Sequence, residues 1–232
     1  ASTRLGMVGW PAEGEELEIA RDIALCRLTG CPLHIQHITT KRGLDLVAAA
    51  KAEGLPVTCE VTPHHMFLTE DAITAEYQTA LKVNPPLRTA EDAAALIEGL
   101  ANGTIDAIAT DHAPHSAEEK ARPLTEAPSG MVGLETALAV TLTYLYHTGE
   151  LGLSDILRKM TINPACILRL PTKGRLSIGA DGDVVIFDPE EEWTVDPERF
   201  ASKGRNTPFA GRTLKGRVKY TVVGGEVIYQ AQ

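Results

Sequence analysis

Three stretches of this chain end an apolar run with a side chain that can bind a metal or move a proton. Leu33-His-Ile-Gln-His37 closes on a histidine. Residues 57–61 carry Glu60 just ahead of Thr62-Pro-His-His65. Residues 105–110 run into Asp111-His-Ala-Pro-His115. Neutral imidazole and carboxylate are the donors of a catalytic zinc centre, which keeps one position open for water. An acid at the end of an apolar strand costs desolvation unless something compensates it, so Asp111 is the hardest of these to read as purely structural. His37 and Glu60 admit plainer readings. A lone strand histidine is more often a hydrogen-bonded structural group, and Glu60 could pair with a neighbouring base. Period-two alternation puts Leu33, Ile35 and His37 on one face, with His34 turned toward the helices as a structural residue. His64 and His65 lie beyond their strand and read as structural or supporting residues. His147, at a helix end, reads as solvated. On spacing alone the pattern suggests a metal-dependent hydrolase.

Such groups need elements that bring them together. A helix is expected over residues 11–29, with Leu17, Ala20, Ala24 and Leu28 on its buried face and Gly30 as C-cap. A strand over 32–38, a helix over 44–53 and a strand over 57–61 follow. Thr89 and Asp92 form a capping box for a helix ending at Asn102-Gly103. Residues 105–110 are apolar as a buried parallel strand should be. Leu134, Leu138, Leu142 and Leu145 mark a long helix, and another starts at Ser154 and breaks at Asn163-Pro164. Strands alternating with helices imply βαβ units, a parallel sheet, and functional groups at the C-terminal strand ends. The last 60 or so residues are glycine-punctuated, with short runs at 183–187 and 218–223. They read as a small antiparallel sheet domain beginning near Pro171.

Composition narrows the class. Of 232 residues, 22 are Lys or Arg against 31 Asp or Glu, a formal charge of −9. That balance argues against a nucleic-acid partner. No apolar run reaches the roughly 18 residues of a membrane span, and residues 1–10 do not read as a signal peptide. Cys26, Cys31, Cys59 and Cys166 make no CxxC pair and fit reduced, mostly buried thiols of a cytoplasmic protein.

Ile108-Ala-Thr-Asp-His-Ala-Pro-His115 resembles the strand-eight signature of the dihydroorotases, in the amidohydrolase superfamily. Val57-Thr-Cys-Glu-Val-Thr-Pro-His-His65, Lys82-Val-Asn-Pro-Pro-Leu-Arg88, Ala127-Pro-Ser-Gly-Met-Val-Gly-Leu-Glu135 and Asn206-Thr-Pro-Phe209 resemble further segments of the bacterial type, in family order and over nearly the whole chain. The resemblance implies an α/β fold: residues 1–170 as strands six to eight of a (β/α)8 TIM barrel, and residues 171–232 as part of a small β-sandwich domain. It implies His37 as a metal ligand and Asp111 as metal ligand and catalytic acid–base group. It implies Asn84, His115, Ser129 and Gly130 as substrate contacts. This chain has Pro-Ser-Gly where many relatives have Pro-Phe-Gly, so Ser129 enters through its backbone and its side chain is assigned no role. Glu60 lies where some relatives bind an extra metal. There a cysteine precedes the strand-six histidine, whereas Gln36 does here, so a third metal is discounted.

The implied activity is reversible hydrolysis of the cyclic amide of dihydroorotate to N-carbamoyl-L-aspartate, with two Zn²⁺ per intact site. The implied partners are the small-molecule substrate and either a second copy or aspartate carbamoyltransferase. Alternatives are a sister cyclic amidohydrolase (an allantoinase or hydantoinase) or a dihydroorotase-like scaffold without catalysis. Asn84 and His115 favour the first reading, because a substrate carboxylate needs a nearby donor. The family also uses a strand-one His-x-His pair followed by an Arg, a strand-four bridging carboxylate and a strand-five histidine. None is found here, and a whole barrel needs about 250 residues. The chain is therefore expected to be a C-terminal part of the enzyme, inactive by itself.

Overall fold

The computed structural model describes residues 2–231. They pack as two compact units: residues up to Glu135 together with Pro197–Pro208, and Thr136–Asp196 together with residues from Phe209 onward.

The first unit runs α1 (Ser2–Leu5), α2 (Ala12–Thr29), β1 (Leu33–Ile35), α3 (Lys41–Ala52), β2 (Val57–Val61), α4 (Pro63–Phe67), α5 (Ala90–Asn102), β3 (Ala107–Ile108) and α6 (Ala117–Lys120). The strands form one parallel sheet in the order β1-β2-β3, with Ile35 opposite Cys59 and Val61 opposite Ile108. Local signals set the helix ends. Thr40 caps α3 by accepting from the Gly43 N–H. Thr89 and Asp92 form the expected reciprocal capping box on α5, which closes on Gly103 at φ 88°. Ile19, Ile23, Leu44, Val47, Leu96 and Leu100 from the helices are buried with Ile35, Val57, Cys59 and Val61 from the strands. Gly99 is required where α5 meets α3. A Cβ there would lie 2.5 Å from a Leu44 methyl.

Several expectations shift. β1 and β3 are shorter than the apolar runs that announced them, because the chain leaves the sheet early to form loops. α2 buries Ile19, Ile23 and Cys26. Leu17 and Leu28, assigned to its inner face, are 71% and 80% exposed. Both stripes satisfy helical spacing, and only the position of the sheet chooses between them. The strand alternation is also reversed. Val57, Cys59 and Val61 are buried on the side of β2 that α3 covers, while Thr58 and Glu60 are half-buried on the other. His34 bonds to Thr58 and Glu60, so it lies on that second face and not toward the helices.

The second unit contains α7 (Ala137–Thr141), which continues as a π-helical turn Leu142–Tyr146, then α8 (Leu153–Met160) and α9 (Ile162–Ile167). An antiparallel sheet of β4 (Val184–Thr194), β5 (Thr213–Val223) and β6 (Glu226–Gln230) follows. The Gly224-Gly225 turn, both residues at positive φ, joins β5 to β6. The expected leucine helix loses Leu134, which is 65% exposed and outside it. Gly152, not Ser154, caps α8. The break expected at Asn163-Pro164 falls at Thr161, and Pro164 sits in the first turn of α9, where its missing N–H costs nothing. The change of composition near Pro171 does not coincide with the packing division. Leu142 contacts the backbone of β5 at Gly216, so the helices from Thr136 onward group with the antiparallel sheet. No helix among the described residues is long and apolar enough to cross a membrane.

Candidate functional site

The sheet of the first unit ends in two strained turns. His37 follows β1 at φ 36° and Asp111 follows β3 at φ 46°. Non-glycine residues in this region cost of order 1–3 kcal/mol and concentrate where function demands a geometry. β1 and β3 are parallel and flank β2, so both turns leave the same C-terminal edge. The positive φ also explains how His37 reaches that edge, which simple alternation from Ile35 could not supply. The turn is held by the Ile38 N–H donating to the Glu60 carbonyl at 3.0 Å.

Two histidine nitrogens at this edge are buried without a hydrogen-bond partner: His37 Nδ1 and His64 Nε2. Buried polar groups are almost always satisfied, and the exceptions ask for a reason. Burial, and then proximity to His65 and His37, holds His64 well below the ordinary histidine pKa, so its ring is neutral. His65 is pushed down to about 4 by burial, against the opposing effect of its bond to the Pro85 carbonyl. Its Nε2–H donates to that carbonyl at 2.9 Å, which leaves Nδ1 to accept from the Thr62 hydroxyl at 2.7 Å. His65 thus ties α4 to the Asn84 loop, in the supporting role expected of it. Glu60 does pair with a base. His34 Nε2 donates to it at 3.1 Å, while His34 Nδ1 lies 2.8 Å from the Thr58 hydroxyl.

The four expected substrate contacts fall along loops of the same unit. His115 Nε2 donates to the Ser129 carbonyl at 2.9 Å. The Gly130 N–H donates to the carbonyl of Lys82, two residues before Asn84, at 2.8 Å. Gly130 has φ 136°, and a Cβ there would lie 2.5 Å from Ala113 Cβ and 3.0 Å from His115 Nε2. Only glycine fits. Lys82 Nζ donates to the carbonyls of Leu124 and Ala127, each at 2.6 Å, which pins the approach to Ser129. Asn84 and Ser129 are exposed and line a cavity of about 580 Å³ with Trp10, Leu87 and Arg88. The wall of that cavity includes neither His37 nor Asp111.

Some organising residues were missed by sequence reasoning. Asn206 is 8% exposed. Its amide donates to the carbonyls of Ala113 at 3.0 Å and Gly130 at 3.1 Å, and its side-chain oxygen accepts from the His115 N–H at 3.1 Å. The Asn206-Thr-Pro-Phe209 segment was the available signal, but its partners lie more than 70 positions away. His112 Nδ1 accepts from the N–H of Gly133 at 3.1 Å, which fixes the strand-like stretch at Met131. His147, expected to be solvated, donates from Nε2 to the Pro189 carbonyl at 2.8 Å within the second unit.

No group of three or more His, Cys, Asp or Glu side chains among the described residues is arranged to hold a metal ion. His37 and Asp111 nevertheless suit zinc. One offers an imidazole with a buried ring nitrogen that no protein group satisfies. The other offers a carboxylate on the same sheet edge, and further ligands would have to come from outside these residues.

Comparison with known proteins gives a consistent picture. A family model described as "Amidohydrolase family" matches residues 9–228. A dihydroorotase of Pelotomaculum thermopropionicum is 54% identical over 229 residues, covering 99% of this chain and 53% of the relative. A dihydroorotase of Anaplasma phagocytophilum is 51% identical over 232 residues, covering all of this chain and 51% of the relative. Among solved structures, an L-hydantoinase (dihydropyrimidinase) from Arthrobacter aurescens superposes with a TM-score of 0.90 at 33% identity, over 95% of this chain and 49% of that one. A D-hydantoinase from a Thermus species does so at 0.86 and 26% identity, over the same shares. The chain spans about half the length of the curated relatives it matches.

Proposed function

The chain belongs to the amidohydrolase family, and from that premise we propose that it forms the C-terminal half of a zinc-dependent dihydroorotase, which reversibly hydrolyses the cyclic amide of dihydroorotate to N-carbamoyl-L-aspartate. One observation carries the reading. His37 and Asp111 are both held in left-handed turns at the same edge of a parallel sheet, and His37 presents an unsatisfied buried nitrogen. In this proposal His37 and Asp111 hold metal, with the remaining ligands supplied by an N-terminal half. Two zinc ions bound there would polarise the ring carbonyl and acidify the attacking water. Asp111 accepts a proton from that water and returns it to the leaving ring nitrogen. In the ring-closing direction Asp111 must start protonated, so lower pH favours closure. Ring closure is intramolecular, and proximity offsets the usual cost of forming an amide. Asn84, His115 and the Ser129-Gly130 backbone orient the ring and its carboxylate.

The proposed architecture is barrel strands six to eight over residues 1–170 and part of a small β-sandwich over 171–232. The proposed setting is cytoplasmic, with either a second copy or an aspartate carbamoyltransferase as protein partner. A hydantoinase-type activity is the second reading, favoured by the 0.90 TM-score to the Arthrobacter enzyme. The roughly 50% identity to curated dihydroorotases outweighs it. The deciding experiment purifies this chain alone and with an N-terminal half supplied by co-expression, then measures zinc and turnover of dihydroorotate against hydantoin. The pair should bind zinc and prefer dihydroorotate, and the chain alone should do neither. Preference for hydantoin, or full activity of the chain alone, overturns the proposal.

A further inference from the structure

We propose that Glu15 and Arg88 are positioning residues that hold the His37 turn in register with the Asn84 loop, so that metal and substrate meet at a fixed separation; this rests on the functional reading above. The Glu15 carboxylate is 12% exposed and is spent on the segment that follows His37. Its Oε1 accepts from the Thr39 N–H at 2.8 Å and the Thr40 N–H at 3.0 Å, and also from the Thr40 hydroxyl at 3.2 Å. The Thr39 hydroxyl bonds to its Oε2. Consecutive backbone N–H groups converging on one anionic oxygen fix a turn firmly. Thr39 and Thr40 are fully buried, so water offers them no alternative partner. Glu15 therefore anchors the strained turn two residues from the His37 ring.

Arg88 carries that anchor to the other loop. Its side chain is 9% exposed. Nη2 reaches Glu15 Oε2 at 3.4 Å, Nε donates to the Thr39 hydroxyl at 3.1 Å, and Nη1 donates to the Trp10 carbonyl at 2.7 Å. Between Arg88 and Asn84 lie Pro85, Pro86 and Leu87. Two consecutive prolines fix φ and leave little slack, and the Pro85 carbonyl is also held by His65. A shift of the Arg88 guanidinium is therefore passed to Asn84 and not absorbed between them. Lysine could keep the charge but not the three-way fork.

The experiment uses the full-length zinc-loaded protein with Arg88→Lys, Glu15→Gln, Asn84→Ala and the Arg88→Lys/Asn84→Ala double variant. Arg88→Lys should raise KM for dihydroorotate about tenfold with kcat within about threefold, and keep its zinc. In the double variant the lysine change should cost almost nothing beyond Asn84→Ala, because both act through one contact. Glu15→Gln should loosen zinc by roughly tenfold in competition with a chelator, the scale expected for a group supporting a ligand. This readout needs no turnover. A purely architectural role would lower the melting temperature and leave KM, the cycle and zinc affinity unchanged, and that result overturns the proposal. So does Glu15→Gln holding zinc as tightly as the wild type. If the wild type instead turns over hydantoin, the substrate assignment falls, and the same cycle measured on hydantoin still decides the role of Arg88.

Discussion

Asn206 offers the sharpest quantitative test, because a single buried amide joins two loops that the proposed mechanism needs. It makes three hydrogen bonds: two donated, to the carbonyls of Ala113 and Gly130, and one accepted, from the His115 N–H. Asn206→Ala removes all three and leaves one N–H and two carbonyls without their partner in a poorly hydrated place. Each such loss costs about 1–3 kcal/mol when the stranded group stays buried. The Gly130 carbonyl is buried and the Ala113 and His115 groups are only partly so. The total should fall near 3 kcal/mol, read as the change in urea midpoint at unchanged slope. Asn206→Asp separates donor from acceptor. The aspartate still accepts from His115 but now sets a negative oxygen 3.0–3.1 Å from two carbonyl oxygens. It should cost at least as much as alanine at pH 7. Its folded-state pKa is then raised above the unfolded value, so part of the loss is recovered as pH falls and the carboxyl regains a donor. Both variants should raise KM more than they lower kcat, because His115 and Gly130 move while His37 and Asp111 do not. A loss below about 1 kcal/mol for Asn206→Ala, or an Asp variant as stable as the wild type at pH 7, would refute this reasoning.

Other changes test the rest of the site. Asp111→Asn in the full-length protein should keep the fold and lose roughly 10²–10⁴-fold in turnover, since asparagine cannot cycle a proton; activity within about tenfold of wild type removes Asp111 from that role. His115→Ala and Asn84→Ala should each cost roughly 10–150-fold in kcat/KM, the equivalent of a lost charged hydrogen bond, with zinc content intact; stoichiometric zinc loss would move the residue among the ligands. Stability should fall in acid, because His65 titrates near 4 when folded and near 6.5 when unfolded. The unfolded chain then binds more protons below about 6.5, so the stabilisation present above that pH is lost as pH drops toward 4, by up to about 3 kcal/mol. His64 is shifted in the same direction. His65→Gln should flatten this slope in urea midpoints measured between pH 7 and 4, and an unchanged slope would assign the acid sensitivity elsewhere.

Local chemistry made much of this protein legible from its residues. The Thr89–Asp92 capping box, the Gly103 terminus and the β2 limits are set by nearest-neighbour hydrogen bonds and backbone freedom, and the structure has them where the pattern put them. His37 and Asp111 stood out because a metal-binding or proton-moving side chain at the end of an apolar run carries chemical meaning, whereas Asn84, His115, Ser129 and Gly130 entered as substrate contacts only through the resemblance to dihydroorotases. What stayed hidden depended on distant partners. Leu17 and Ile19 fit equally good helical stripes, and the sheet selected Ile19. Alternation could not say which face of β1 the helices cover, and it failed at His37 because a positive φ breaks the period. Glu15 looks like an ordinary polar residue in the sequence, and Arg88 and Asn206 lie in segments that resemble the family but assign their side chains no role. They become organising groups only when loops 24 to 93 positions away bring donors and acceptors to them. Short-range propensity is written residue by residue, but the choice of which polar group is buried, and against what, belongs to the packed chain, where an unsatisfied hydrogen bond is costly enough to decide it.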